Sequence, residues 1–390
     1  MDSFSNTFSF NALHYISMKP VRVDVQNDLI AGITDLEIES VESELPIVTP
    51  GLIDNQVNGY AGVDFSGDHL TVEEIVKATR ALWKTGVTSY LPTLITNTTE
   101  NLIRNFRILA DSFSQEEVRL SVPGFHLEGP WLSKLEGFRG CHREDMIRLP
   151  DIHQLISFQQ AAGGRIVQIT LAPELHGAIE MISYSKENGI LTAIGHSNAN
   201  SLQIKHASEH GTTLSTHLGN GCANLIHRHH NPIWPQLAAD QLIPTLIADG
   251  HHLQPEELSV FLRVKGKDRI ILTSDITYLA GMPAGRYRFA GADVILTEGG
   301  LLKSADQDCL AGASLPLLTG VENMMRFTGC SLEDAINMAS LNVSSVFQWK
   351  DRGALLPGKR ADLLLLMNDH GRLTLKTTLL AGKVVYKSNS

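Results

Sequence analysis

Eight short apolar segments, spaced so that helix or loop can follow each, constrain this chain more than any other feature. They lie at 52–57, 87–91, 120–127, 166–171, 191–195, 212–218, 243–248 and 270–274. Stretches with helical periodicity occupy 71–84, 100–112, 201–209 and 255–264 between them, and further helices around 312–327 and 331–339 would finish an outer ring. Apolar runs of this length, alternating with amphipathic helices, belong to parallel strands buried on both faces. Eight such β/α alternations predict an α/β fold, a closed (β/α)8 barrel of the TIM type, whose chemistry sits on the loops at the C-terminal ends of the strands.

The 390 residues exceed the roughly 250 of a bare barrel. The surplus falls at the two ends. FSFNALHYI, KPVRVDVQ and ITDLEIES near the start, and ADLLLLM, RLTLKTTLL and KVVYK near the finish, are rich in β-branched and aromatic residues and separated by turn formers. Neither end alone has enough apolar surface for a stable sheet. Pairing them gives a small β-sandwich built from 1–49 and 351–390, with the barrel, 50–350, inserted between.

Composition narrows the function classes. With 43% hydrophobic and 19% charged residues, the chain suits a large globular core. A net charge of −10 argues against a broad nucleic-acid or anionic-membrane surface, because no basic excess exists to neutralise phosphates. No apolar run reaches the ~18 residues of a membrane span, and residues 1–10 lack a signal-peptide pattern. Cys141, Cys222, Cys309 and Cys330 form no C-x-x-C pair, so neither a disulfide framework nor a cysteine zinc site is expected. A cytoplasmic location is expected. No Gly-rich nucleotide motif supports a kinase or dehydrogenase.

Metal-ligand residue types recur where the apolar strands end. Glu128 follows the third strand, His196 the fifth, His217 the sixth and Asp275 the eighth. In a barrel these positions converge on one mouth. Two imidazoles and a carboxylate suit a catalytic zinc with an open position, where a water is acidified and a carbonyl polarised. Asp275, as a carboxylate outside the ligand trio, suits the base that takes a proton from water and returns it to a leaving amine.

The same segments carry a resemblance. PGLIDNQVNG at 50–59, HLEGPWL at 126–132, APE at 172–174, GHSNA at 195–199, THLGN at 216–220, ADGHH at 248–252 and LTSDIT at 272–277 resemble the N-acetylglucosamine-6-phosphate deacetylase family of the amidohydrolase superfamily. LLPGKRADLLLL at 355–366 resembles that superfamily's returning sandwich segment. The resemblance spans nearly the whole chain in order. It implies that Glu128, His196 and His217 bind the metal and that Asp275 is the catalytic acid/base. It also implies that His252 holds substrate and polarises its carbonyl. His251 occupies a variable position. The H-x-H pair that many amidohydrolases carry on the first strand is replaced by Gln56-Val57-Asn58, which implies one divalent metal, with Zn2+ the leading candidate.

The family binds its sugar phosphate through an asparagine, a neighbouring backbone amide and an arginine reaching across a homodimer. Asn220, Gly221 and Arg228 match these, and His142 matches a further substrate histidine. Four departures fall in the substrate loops: SKLEGFRGCHRED after HLEGPWL, Asn220-Gly221-Cys222, Ala313 and Pro316. The resemblance implies hydrolysis of N-acetylglucosamine 6-phosphate to the free amine and acetate. The alternatives are another N-acyl substrate, such as N-acetylgalactosamine 6-phosphate or an unphosphorylated amide, and a catalytically silent sugar-phosphate-binding barrel.

Overall fold

The computed structural model describes residues 7–37, 45–289, 291–306 and 310–388. Residues 1–6, the end of ITDLEIES (38–40) and Cys309 lie outside them. All eight expected barrel strands are present: Leu52–Val57, Val87–Ile95, Phe125–Glu128, Ile166–Leu171, Leu191–Ile194, Leu214–Ser215, Ile243–Leu246 and Ile271–Leu272. Each pairs with the next in parallel, in chain order. The seam between the eighth and first strands closes differently. It has a single parallel bridge, Val57 to Ile276, flanked by Asp275 N to Gln56 O at 3.1 Å and Asn58 N to Ile276 O at 2.9 Å.

Helices surround the barrel and begin where side chains can satisfy their free amides. Thr71 and Glu74 form a reciprocal capping box before the helix Val72–Trp83, and Asn200 and Gln203 do the same before Ser201–His210. Each buries one apolar stripe: Ile75, Ala78 and Leu82 in the first, Ile204 and Ala207 in the second. These join one continuous apolar core with the outward-facing strand residues.

The sixth and eighth strands shrink to Leu214–Ser215 and Ile271–Leu272, and two further boundaries move for a visible local reason. The third strand starts at Phe125 and not near Leu120, because Glu116–Ser121 is a short helix that buries Val118. Pro123 lacks the N–H needed to continue a ladder, and Gly124 lies where a Cβ would sit 2.6 Å from Val167. The helix expected from 312 begins at Leu317, since Ala313 instead bridges Ile276 at the seam. One unit has no counterpart in the sequence reading: a three-stranded antiparallel sheet, Gly285–Phe289, Ala292–Leu296 and Leu302–Ser304, with its own small core of Leu279, Phe289, Val294 and Leu302.

Both chain ends enter one seven-stranded sheet. Its spatial order is Lys383–Lys387, Arg372–Leu380, Leu363–Asp369, Ile47–Pro50, Thr7–His14, Pro20–Gln26 and Leu29–Asp35. The strand Ile47–Pro50 joins the halves, pairing antiparallel with the C-terminal part and parallel with the N-terminal part. The edge strand Leu29–Asp35 also meets the segment that leads into Leu363–Asp369, through Ile30 N to Lys359 O at 2.9 Å and Ala361 N to Asp28 O at 2.7 Å. The chain passes from the sheet into the barrel at Gly51. None of the described helices is long and apolar enough to cross a membrane.

Candidate active site

Glu128 ends the third strand and is buried, with His217 Nε2 3.0 Å and His196 Nε2 3.4 Å from its Oε1. One donor atom from each of the three lies within 4.8 Å of the others. Burial opposes the charge on Glu128, yet the two imidazoles hold its carboxyl well below the usual range. The trio expected from sequence is thus brought together.

Backbone geometry shows how the strand ends deliver these groups. His196, His217 and Asp275 have φ of +49°, +32° and +52°, a region that non-glycine residues seldom occupy. Such strain persists where surrounding structure over-determines it, and it concentrates at functional sites. Here the chain turns sharply out of each strand, so that the side chain faces the barrel mouth. His196 is further fixed by Nδ1, which must donate to Phe138 O at 3.0 Å because a carbonyl only accepts. That leaves the lone pair of Nε2, on the Glu128 side of the ring, to bind a metal, and Nδ1 to Phe138 is the orienting contact expected around a metal-binding imidazole. Phe138 belongs to the altered SKLEGFRGCHRED loop, whose Ser133 N also donates to His196 O at 2.9 Å. That loop therefore supports a ligand-type residue as well as facing outward.

The donor set fits a divalent cation. A carboxylate and two imidazoles match the chemistry of zinc and its neighbours. His217 and His196 both turn Nε2 to the same oxygen of Glu128, so that one small cation would meet all three groups. Gly221, at φ +63°, packs so closely that a Cβ there would sit 3.0 Å from His196 Nδ1 and 3.1 Å from His217 Cε1.

Asp275 faces this cluster from the eighth strand. Its Oδ1 accepts from Gln56 Nε2 at 2.9 Å and from Asn58 Nδ2 at 2.7 Å. Burial, and then the negative charge of Glu128, push its carboxyl up to about 6. His252 follows the seventh strand, and its Nδ1 donates to Asp249 Oδ2 at 2.8 Å. Asp249 Oδ1 also accepts from the backbone N–H groups of His251 and His252, at 2.8 and 2.9 Å. His142 is buried against the others, its ring 4.4 Å from that of His196 and its Nε2 3.9 Å from Glu128 Oε2. Its Nδ1 meets Thr96 Oγ1 at 2.9 Å, and burial with the nearby His196 pushes it down to about 3, so it is neutral. Asn220 is held through N to His217 O at 2.9 Å, while its Nδ2 is buried and unpartnered among the described residues. Arg228 stands exposed further along the same loop, where Trp234 Nε1 donates to its carbonyl at 3.0 Å; it is not among the residues that meet at Glu128.

Sequence reasoning passed over several contributors. Asp249 stood in a quoted motif without a role. Glu174 binds Ser197 Oγ at 2.6 Å and Asn198 N at 2.7 Å, bracing the turn just after His196. A buried polar row lies on the strands beneath the site. His126 contacts Thr93 and Thr170 at 3.2 and 2.8 Å, and Thr170 contacts Thr216 at 2.7 Å. The one available signal was the run of polar residues at alternate positions inside strands that should otherwise be apolar.

This mouth, with its carboxylate–imidazole trio and adjacent aspartate, defines a class of barrel hydrolase. The model of the amidohydrolase family matches residues 47–385, and the chain belongs to that family. Among its relatives is the N-acetylglucosamine-6-phosphate deacetylase of Lysinibacillus sphaericus, 31% identical over 356 residues, covering 90% of this chain and 89% of the relative. The N-acetylgalactosamine-6-phosphate deacetylase of Escherichia coli O157:H7 is also 31% identical, over 88% of this chain and 89% of its own. Among solved structures, a variant of the N-acetyl-D-glucosamine-6-phosphate deacetylase of Mycobacterium smegmatis, in complex with N-acetyl-D-glucosamine-6-phosphate, superposes with a TM-score of 0.85. It is 25% identical, with 97% of this chain and 99% of that one covered.

Proposed function

We propose that this protein is an N-acetylglucosamine-6-phosphate deacetylase, hydrolysing the N-acetyl amide to acetate and the free amino-sugar phosphate. The observation that carries the reading is the buried meeting of Glu128, His196 and His217 beside Asp275. The relatives supply the substrate class. We assign Glu128, His196 and His217 as ligands of one divalent metal, with zinc as the ion that fits a carboxylate and two imidazoles. When bound, such an ion polarises the amide carbonyl and acidifies a water.

The protein's own groups do the rest. Asp275 Oδ1 is occupied by two amide donors, so Oδ2 is the oxygen that takes the proton of the attacking water. As the C–O bond forms and the C–N bond breaks, the same carboxyl hands that proton to the departing nitrogen. Asp275, beside the trio and outside it, is placed for both halves of that transfer. Asp249 fixes the His252 ring and leaves Nε2 for the substrate carbonyl. His142, Asn220 and the Gly221 N–H contact the sugar, and Arg228 receives the phosphate.

The exposure of Arg228 on the loop of 221–232 and of Leu225, 93% exposed on the same loop, supports a homodimer in which Arg228 crosses to the partner's site. We divide the chain into a catalytic barrel, 50–350, and a sheet domain from 1–49 and 351–390, and place the protein in the cytoplasm. Acetate release from N-acetylglucosamine 6-phosphate, its galactosamine epimer and unphosphorylated N-acetylglucosamine tests the reading. The first should have the highest kcat/KM. Preference for the epimer would move the assignment within the family, and preference for the unphosphorylated sugar would remove the role of Arg228.

A further inference from the structure

Three alternate residues of the first strand, Asp54, Gln56 and Asn58, turn polar side chains toward the end of the eighth. Asp54 is fully buried and accepts from Thr273 Oγ1 at 3.0 Å and Ser274 N at 3.1 Å, and the Ser274 hydroxyl also donates to it. Gln56 and Asn58 then donate to the next residue, Asp275, at 2.9 and 2.7 Å. Asn58 Nδ2 additionally lies 3.3 Å from Asp275 O. All these contacts cross the seam, where the backbone supplies only one bridge. They reach a residue whose φ of +52° has little intrinsic preference to persist.

Both amides choose the same oxygen of Asp275. A carboxylate free to rotate would present either oxygen to the reacting water. One that accepts two N–H bonds at Oδ1 is locked about its Cβ–Cγ bond, with Oδ2 held in a single orientation. We infer that Gln56 and Asn58 are positioning residues for the reaction: they clamp Asp275 through Oδ1, so that Oδ2 alone exchanges the proton. This rests on the deacetylase reading above and adds a role for two residues that otherwise mark only the missing H-x-H pair. Preorganisation of this kind matters because small misplacements of a reacting group cost large factors in rate.

The test uses the full-length, metal-loaded enzyme and three variants, Gln56→Ala, Asn58→Ala and the isosteric Asn58→Asp. Each is made alone and in an Asp275→Asn background, with kcat, KM and bound metal measured for all. Loss of a hydrogen bond to a charged group predicts a fall in kcat of about 10- to 100-fold for each single variant. KM and metal content should stay at their starting values. Asn58→Asp, which keeps the shape but turns an acceptor toward Asp275, should be at least as impaired as Asn58→Ala. In the Asp275→Asn background the same changes should cost little more, because the group they orient no longer works. Wild-type kcat in Asn58→Asp, equal losses in both backgrounds, or a fall in bound metal would each overturn the inference. An inactive wild-type enzyme on every N-acetylated sugar would instead overturn the deacetylase reading, and this inference with it.

Discussion

At the scale of single residues, the site depends on how little room its imidazoles have. The His196 ring meets Phe138 O at Nδ1, and a Cβ added at Gly221 would sit 3.0 Å from that nitrogen and one added at Gly140 2.9 Å from Cε1. Gly221→Ala asks for a side chain at positive φ and presses it against two ligand-type histidines. We expect metal affinity to fall by at least about tenfold, the scale on which disturbed supporting contacts act, as measured by competition with a chromogenic chelator. An unchanged affinity would show that Gly221 serves substrate alone. Asp249 illustrates the opposite device, a carboxylate with three acceptor contacts spent on one loop. Burial would raise its carboxyl, but the His252 ring and the two backbone amides hold it below the usual range.

At the scale of elements, the loop after the sixth strand is anchored from behind. It runs into the short helix Ile233–Ala238, and Lys265 Nζ donates to Gln236 O, Ala239 O and Leu242 O at 2.8, 2.7 and 3.0 Å. Burial pushes this lysine down from 10.5 to about 8. Between those values the unfolded chain holds more protons than the folded one, so this contribution to stability rises with pH from about 8 to 10.5. Urea midpoints at pH 7.5 and 10 should show that rise in the wild type relative to Lys265→Met; equal pH dependence in both would contradict it. What could be seen in the sequence follows the same division of scales. The eight strands and the trio at their ends were legible, because apolar runs and strand-end ligand types are local patterns. The clamp from Gln56 and Asn58 to Asp275 joins positions 219 and 217 residues apart, and the partner of His196 is a backbone carbonyl, which no residue type announces. The three-stranded insertion was hidden for another reason: GRYRF is largely exposed and ADVIL buries only the alternate Val294 and Leu296, so neither carries a continuous buried apolar run.

At the scale of the whole molecule, a barrel whose seam is reinforced by side chains stands beside a sheet that gathers both termini, and a proposed partner completes the phosphate site. If Arg228 crosses a dimer interface, Arg228→Ala and His196→Ala are complementary defects. Mixing the two inactive proteins after co-refolding should restore activity, since one site of a mixed dimer then has both His196 and the partner's guanidinium; no recovery would place Arg228 in its own subunit's site or outside it. The central claim is hydrolysis at a single metal held by Glu128, His196 and His217. Its most direct test is to strip the protein with a chelator, return zinc in measured steps, and follow acetate release from N-acetylglucosamine 6-phosphate against bound metal. The account predicts activity that rises linearly and levels off at one zinc per chain, and that never returns in His196→Ala. Activity that requires a second equivalent, or that survives in the stripped protein, would contradict it.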